Sequence, residues 1–140
     1  MKETTLGIIK PDAVENKLIG KIITKIESSS LTITEVKMVY LTINTLEELY
    51  KEHIGKPFLP GLIEFMASGP VILLLLEGED AVNTLRSLCG DTNPEKALPG
   101  TIRGDCGEGL PKNAIHASDS PESAKREINL LFPQKPDSLI

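Results

Sequence analysis

His116 is one of two histidines in the 140 residues, and it stands just before a helix start in "NAIHASDSPESAKREI", residues 113–128. Glu127, in the following helix, falls on the same stripe as Ala124, Ile128 and Leu131, a stripe whose other members face a core. A carboxylate there needs a partner inside the protein or at a cleft, and His116 is the nearest titratable candidate. Bonding a carboxylate to one ring N–H fixes the tautomer and leaves the other nitrogen with a free lone pair. Such an imidazole can attack phosphorus directly, with no separate base.

Three cations occupy positions that ordinary surface lysines and arginines do not. Lys10 ends an apolar strand, Arg86 shares a helical stripe with Val82, Leu85 and Cys89, and Arg103 lies in a long loop. Buried or half-buried cations need anionic partners. Each alone could pair with one of the 20 acidic residues, but together with the loop they read as a polyanion site. Neither familiar phosphate cradle is present: the chain has no G-x-x-x-x-G-K-[ST], and Gly104, Gly107 and Gly109 are spaced G-x-x-G-x-G, unlike the dinucleotide fingerprint.

The elements that must hold these groups follow from periodicity and punctuation. "TLGIIK", residues 5–10, is a buried strand stopped by Pro11. Leu18, Ile19, Ile22, Ile23 and Ile26 make a helix, closed by "SSS". In "LTITEVKMVYL" the apolar phase slips from Leu31 and Ile33 to Val36, Met38 and Tyr40, which predicts a bulge near Thr34 and Glu35. Asn44 and Glu47 have capping-box spacing ahead of a stripe of Leu46, Leu49, Tyr50 and His53, and a second short helix follows Pro60. "PVILLLLE", residues 70–77, is apolar on both faces and reads as a central strand. A helix from Glu79 to Cys89 ends at Gly90. Residues 91–112 hold three prolines and four glycines with almost no periodicity, a loop long enough to be functional. "AIHA" is the last strand, and Ser120 with Pro121 opens a helix to about Phe132. This order fits an α+β fold: a four-stranded antiparallel ferredoxin-like sheet with a βαββαβ core, covered by helices, in one domain spanning 1–140. A small parallel doubly wound sheet is the competing topology.

Composition narrows the class. Hydrophobic residues make up 40% and charged residues 25%, as in ordinary globular chains. The net charge of −5 argues against nucleic acid or an anionic membrane as the main partner, since both favour a basic face. Cys89 and Cys106 have neither zinc-site nor disulfide-framework spacing and read as free thiols. The N-terminus has no apolar leader and the run Val71 to Leu76 is too short to span a bilayer, so the chain reads as cytoplasmic.

Four segments in order, "IIKPDAV" (8–14), "SGPV" (68–71), "TNPEKALPGTIRGD" (92–105) and "NAIHASDSPES" (113–123), closely resemble nucleoside diphosphate kinases, over a stretch from about Thr4 to Phe132. The resemblance implies ping-pong transfer of a γ-phosphate from a nucleoside triphosphate to His116 and on to a nucleoside diphosphate, with broad base specificity. It further implies that Glu127 holds the ring with Ser118 nearby, that Lys10 contacts the transferred phosphate, and that Tyr50 bonds in the lysine or histidine neighbourhood. Arg86, Thr92, Arg103 and His53 match phosphate contacts, Asn113 and Lys10 match ribose contacts, and Phe58, Leu62 and Leu110 match the base-stacking surface. Mg²⁺ bridging the phosphates is implied as cofactor, with no dedicated protein ligands, since the sequence shows no acidic cluster to build a site. A homo-oligomer is also implied, a hexamer first and a tetramer as the alternative. The sequence adds its own reason, because Leu98, Ile102 and Leu110 in the long loop would need covering by a neighbour.

Two residues depart from the family pattern: Ala117 replaces the usual glycine after the histidine, and Cys106 the usual phenylalanine after "RGD". Neither touches a catalytic group, so they bear on rate more than on reaction. The rival reading is a non-catalytic, nucleotide-binding regulatory module on the same fold, which would take no covalent label.

Overall fold

The computed structural model describes residues 2–133. In chain order the elements are β1 (Lys2–Ile9), α1 (Pro11–Glu15), α2 (Ile19–Glu27), β2 (Thr32–Val39), α3 (Ile43–Leu49), a 3-10 turn (Lys51–His53) and α4 (Leu59–Ala67). They continue with β3 (Val71–Glu79), α5 (Ala81–Cys89), α6 (Ile102–Cys106), β4 (Ile115–Ala117) and α7 (Pro121–Leu131). The strands form one sheet in the order β2-β3-β1-β4, with every neighbouring pair antiparallel. This is the α+β, ferredoxin-like arrangement, and it removes the parallel doubly wound alternative.

Helices cover both faces of the sheet. Ile9, Ile72, Leu74, Leu76 and Ile115 pack with α2 and α5 through Ile22, Ile26 and Leu85. On the opposite face Leu6, Ile8 and Leu73 pack with Leu46, Met66 and Leu131 from α3, α4 and α7. A strand buried on both sides has no polar face to show, which is why β1 and β3 read as continuous apolar runs. That continuity lets Lys10 follow Ile9 directly and lie buried at the strand's end.

The β2 bulge lies where the pattern slips, between Ile33 and Glu35 in the pairing with β3. It does not carry the second apolar set into the core, however. Val36 and Met38 on this edge strand, and Tyr40 just after it, are 52%, 57% and 72% exposed.

Three local expectations are corrected. The cap of α3 is Thr42, whose hydroxyl accepts the Thr45 N–H at 3.1 Å, so Asn44 lies inside the first turn. Residues 91–112 are not structureless, because they contain α6, capped by the Thr101 hydroxyl on the Gly104 N–H at 3.0 Å. A Cβ at Gly104 would collide with the Leu98 carbonyl oxygen, so the chain packs on itself there only as glycine. Ile102 and Cys106 sink into the core, 0% and 5% exposed, and Lys25 of α2 ties Asp105 at 2.7 Å. Ile102 therefore needs no neighbouring subunit, whereas Leu98 and Leu110 stay exposed.

Candidate active site

The short strand β4 sits at the sheet edge beside β1, with His116 opposite Ile8. Helix α7 starts four residues after β4 ends, with the Ser120 hydroxyl capping the Ser123 N–H at 3.0 Å and Pro121 at its first position. This tight return brings Glu127 to His116, whose Nε2 lies 2.8 Å from Glu127 Oε1. The Ser118 hydroxyl donates to the same oxygen at 2.7 Å. Glu127 is 5% exposed; burial raises its pKa, but the bonds from His116 and Ser118 and the charge of Arg126 outweigh burial and leave it lowered. An ionised carboxylate only accepts hydrogen bonds, so Nε2 must carry the proton and Nδ1 holds the free lone pair. The Tyr50 and His116 rings meet edge to face, 5.7 Å between centroids at 80°. Its hydroxyl is buried with no hydrogen-bond partner, so the expected bond to the lysine or histidine neighbourhood does not form.

His116 and Glu127 line one end of a cleft with Lys10, Arg86, Arg103, Tyr50, Thr92 and Asn113, an inner lobe of about 190 Å³. Five residues, Lys10, His53, Leu62, Thr92 and Asn113, also line a wider lobe of about 650 Å³ walled by Phe58, Leu110 and Pro111. All the expected site residues therefore border one continuous cleft except Ser118, which lies buried behind the histidine on Glu127. Phe58 and Leu110 expose 53% and 63% of their surface at the wide end, a degree of exposure that core packing would not leave. The His53 and Phe58 rings stand edge to face, 5.3 Å between centroids.

The cations resolve unexpectedly. Lys10 Nζ donates to Asn113 Oδ1 at 2.7 Å and the Pro111 carbonyl at 3.3 Å. Arg103 donates to the Gly90 and Ile115 carbonyls at 3.1 and 2.8 Å, and Arg86 to the Ala117 carbonyl at 3.3 Å. These acceptors are neutral oxygens, so the bonds hold the cations in place without cancelling their charge. Lys10 accordingly has its pKa pushed down to about 8, by burial first and then by Arg103, with Asp12 partly opposing. Burial also lowers Arg103. A cleft that keeps positive charge half-desolvated around a free imidazole nitrogen is built for a multiply charged anion.

Sequence reasoning passed over Arg126 and Asp12. Arg126 lines the inner lobe, donates to the Glu48 carbonyl at 3.0 Å, and lies 3.8 Å from Glu127 Oε2. Its place beside Glu127 was the available signal. Asp12 is 5% exposed and its Oδ2 accepts the Ala114 N–H at 3.1 Å; its place two residues after Lys10 was the signal there. Of the two departures from the family pattern, Cys106 packs with the α2 and α5 side of the core, as expected, but Ala117, buried on β4 opposite Gly7, lines the inner lobe and gives its carbonyl to Arg86, so it does touch a candidate site residue.

Comparison with known proteins gives one answer. A family model described as nucleoside diphosphate kinase matches residues 3–136. A nucleoside diphosphate kinase of Bacillus licheniformis is 51% identical over 138 residues, covering 99% of this chain and 92% of the relative. One from Methanocaldococcus jannaschii is 52% identical over 132 residues, covering 94% of each. The crystal structure of the Aquifex aeolicus enzyme superposes with a TM-score of 0.91 at 44% identity, covering 94% of this chain and 96% of that one. A Halobacterium salinarum nucleoside diphosphate kinase in complex with CDP gives 0.92 at 41% identity, covering 96% of this chain and 90% of that one. With a carboxylate-held histidine at the head of a cationic cleft, and with these relatives matching over at least 94% of its length, the chain belongs to the nucleoside diphosphate kinase family.

Proposed function

We propose that this enzyme moves the γ-phosphate of a nucleoside triphosphate to a nucleoside diphosphate through His116, with residues 1–140 as one nucleotide-transferring domain. The observation that carries the reading is the 2.8 Å contact between His116 Nε2 and Glu127, which leaves Nδ1 as the ring's nucleophilic nitrogen beside Lys10, Arg86 and Arg103. In the first half-reaction the Nδ1 lone pair bonds to the γ-phosphorus. The bond from that phosphorus to its bridging oxygen breaks, and the electron pair leaves with the diphosphate. In the second half-reaction a terminal oxygen of the acceptor diphosphate attacks the same phosphorus and the P–N bond breaks, returning its electrons to Nδ1. Glu127 holds the Nε2 proton throughout, favouring the charged ring that forms on phosphorylation, and Ser118 fixes the carboxylate. Lys10, Arg86, Arg103, Thr92 and His53 face the phosphates, Asn113 joins Lys10 at the ribose, and the base lies between Phe58 and Leu110 with Leu62 beside it.

Among the described residues no group of three His, Cys, Asp or Glu side chains comes together as a ligand set. That donor inventory fits Mg²⁺ carried in on the phosphates better than an ion resident in the protein, and such an ion would neutralise phosphate charge as the bond changes hands.

The non-catalytic regulatory module is not favoured, because effector binding gives no reason for a buried glutamate to fix one tautomer of a cleft histidine. The test is to mix the protein with γ-labelled ATP and no acceptor. Label should appear on histidine, acid-labile and alkali-stable, and should discharge to added GDP. His116→Ala should fold and take no label; a normal labelling burst in that variant would refute the assignment.

Two further readings belong here. Buried, free Cys89 and Cys106 support a cytoplasmic setting, and no helix among the described residues is long and apolar enough to cross a membrane. Exposed Val36 and Met38 on the edge strand β2, with Tyr40 just after it and Leu98, support a homo-oligomer, of which a hexamer is the expected form and a tetramer the alternative. Sedimentation equilibrium across micromolar dilution checks this, and a stable, fully active monomer would refute it.

A further inference from the structure

The connection into β4 is bent in a way that few non-glycine residues adopt. Ala114 has φ +75°, and the Ile115 N–H donates to the Asn113 carbonyl at 2.9 Å, closing a γ-turn of the rare, strained kind with Ala114 at its centre. Ala114 is fully buried, so both its backbone groups must find partners inside the protein. One short segment supplies both. The Lys10 N–H donates to the Ala114 carbonyl at 2.8 Å, and the Asp12 carboxylate accepts the Ala114 N–H at 3.1 Å. Pro11, between them, has a ring-locked φ and starts α1, which limits how far the two clamping groups can drift apart.

The turn has a cleft residue on each side. Asn113, just before it, accepts from Lys10 Nζ at 2.7 Å and donates through Nδ2 to the Thr92 carbonyl at 2.8 Å. His116 follows two residues after Ala114 and pairs with β1. Reversing the sign of φ at Ala114 would swing Asn113 away from Lys10 while β4 stayed in the sheet.

We propose that Asp12 is a positioning residue of the phosphotransfer site: by holding Ala114 in its positive-φ turn, it keeps Asn113 on the Lys10 ammonium and fixes that ammonium relative to His116. This rests on the phosphohistidine reading above and adds a residue that touches neither nucleotide nor the reacting atoms. Asp12 needs to be an acceptor of the right length, so asparagine should serve almost as well as aspartate. Glycine at 114 takes φ +75° without a Cβ clash and should make the clamp less necessary.

The experiment compares wild type, Asp12→Ala, Asp12→Asn and the double variant Asp12→Ala/Ala114→Gly. Single-turnover phosphoenzyme formation gives the rate and apparent affinity for ATP, and amide hydrogen exchange at 113–115 is followed without nucleotide. Asp12→Ala should form phosphoenzyme about 10- to 100-fold more slowly, the usual scale of lost orientation around a site, and its Ala114 and Ile115 amides should exchange faster. The double variant should recover at least fivefold of the rate, and Asp12→Asn should stay within about threefold of wild type. Wild-type speed in Asp12→Ala overturns the proposal, as does a double variant no faster than Asp12→Ala. If Asp12→Ala does not fold, Asp12→Asn decides, since a folded, exchange-protected protein slowed more than tenfold would refute the acceptor role. Failure of the phosphohistidine reading would show instead as absence of label in wild type, with the exchange pattern still reporting on the clamp.

Discussion

Replacing Lys10 with methionine should make the protein more stable at neutral pH and less stable in alkali. Lys10 is 6% exposed, and burial followed by repulsion from Arg103 takes its pKa from 10.5 to about 8. At ~1.4 kcal/mol per pH unit, the ammonium then costs about 3 kcal/mol more in the folded protein than in the unfolded chain. This is a lowered lysine pKa, so the unfolded state binds the extra proton between the two values. The penalty is present in full below about pH 8 and disappears as pH rises towards 10.5. Methionine fills the same unbranched space without the charge, but it leaves Asn113 Oδ1 and the Pro111 carbonyl without their donor, at about 1–2 kcal/mol. Lys10→Met should therefore be roughly 1–2 kcal/mol more stable than wild type at pH 7 and less stable by a similar amount near pH 10.5, with the curves crossing between. Urea unfolding at one fixed protein concentration measures this, read as midpoint shifts at unchanged slope. Burial raises the Cys89 thiol to about 11, so its own contribution falls between pH 9 and 11 in both proteins and cancels in the difference. On the proposed mechanism the same substitution should also remove most activity, since it deletes the charge assigned there to the phosphates. A Lys10→Met protein less stable at pH 7 by an amount independent of pH would show that the ammonium is compensated in the apoprotein and would sink the reasoning.

Glu127→Gln retains a hydrogen-bonding shape but loses the charge that favours a proton on Nε2; turnover should fall about 10- to 100-fold, and an unchanged rate would mean that another group orients the ring. Base selectivity should be weak, because Phe58 and Leu110 offer flat apolar surface to any base. A GDP-to-CDP preference above about a hundredfold in kcat/KM would demand a hydrogen-bonded readout that these walls do not supply. Gly104→Ala should lower the unfolding free energy by roughly 2 kcal/mol in urea titration, because its Cβ collides with the Leu98 carbonyl oxygen and backbone must shift; a neutral effect would mean that residues 98–104 yield easily.

Much of this site was legible because its strongest signals are local. Glu127 on the core stripe of α7 gave away His116, since helical spacing alone places a carboxylate where water is scarce. The bulge in β2 showed as a slip of the two-residue period. Where reading failed, spacing alone misled: Asn44 and Glu47 have capping-box spacing, yet the helix is capped two residues earlier by Thr42. Helix α6 was missed because its five residues span barely more than one helical turn, too few to show a period, although Ile102 and Cys106 are its core-facing pair.

The sequence by itself put Lys10 at the end of a strand, His116 on a strand and Glu127 on the core stripe of the helix after it, because burial patterns and helical spacing are properties of neighbours along the chain. It left open which oxygens meet the buried cations. Only the tertiary structure decided that Lys10, Arg86 and Arg103 rest on neutral oxygens from loop and strand backbone and from the Asn113 side chain, leaving their charge for a ligand. It alone bent Ala114 against Asp12 across 102 residues of sequence. Such contacts join segments that have no fixed spacing along the chain, and their geometry exists only once β1 and β4 lie side by side in the sheet.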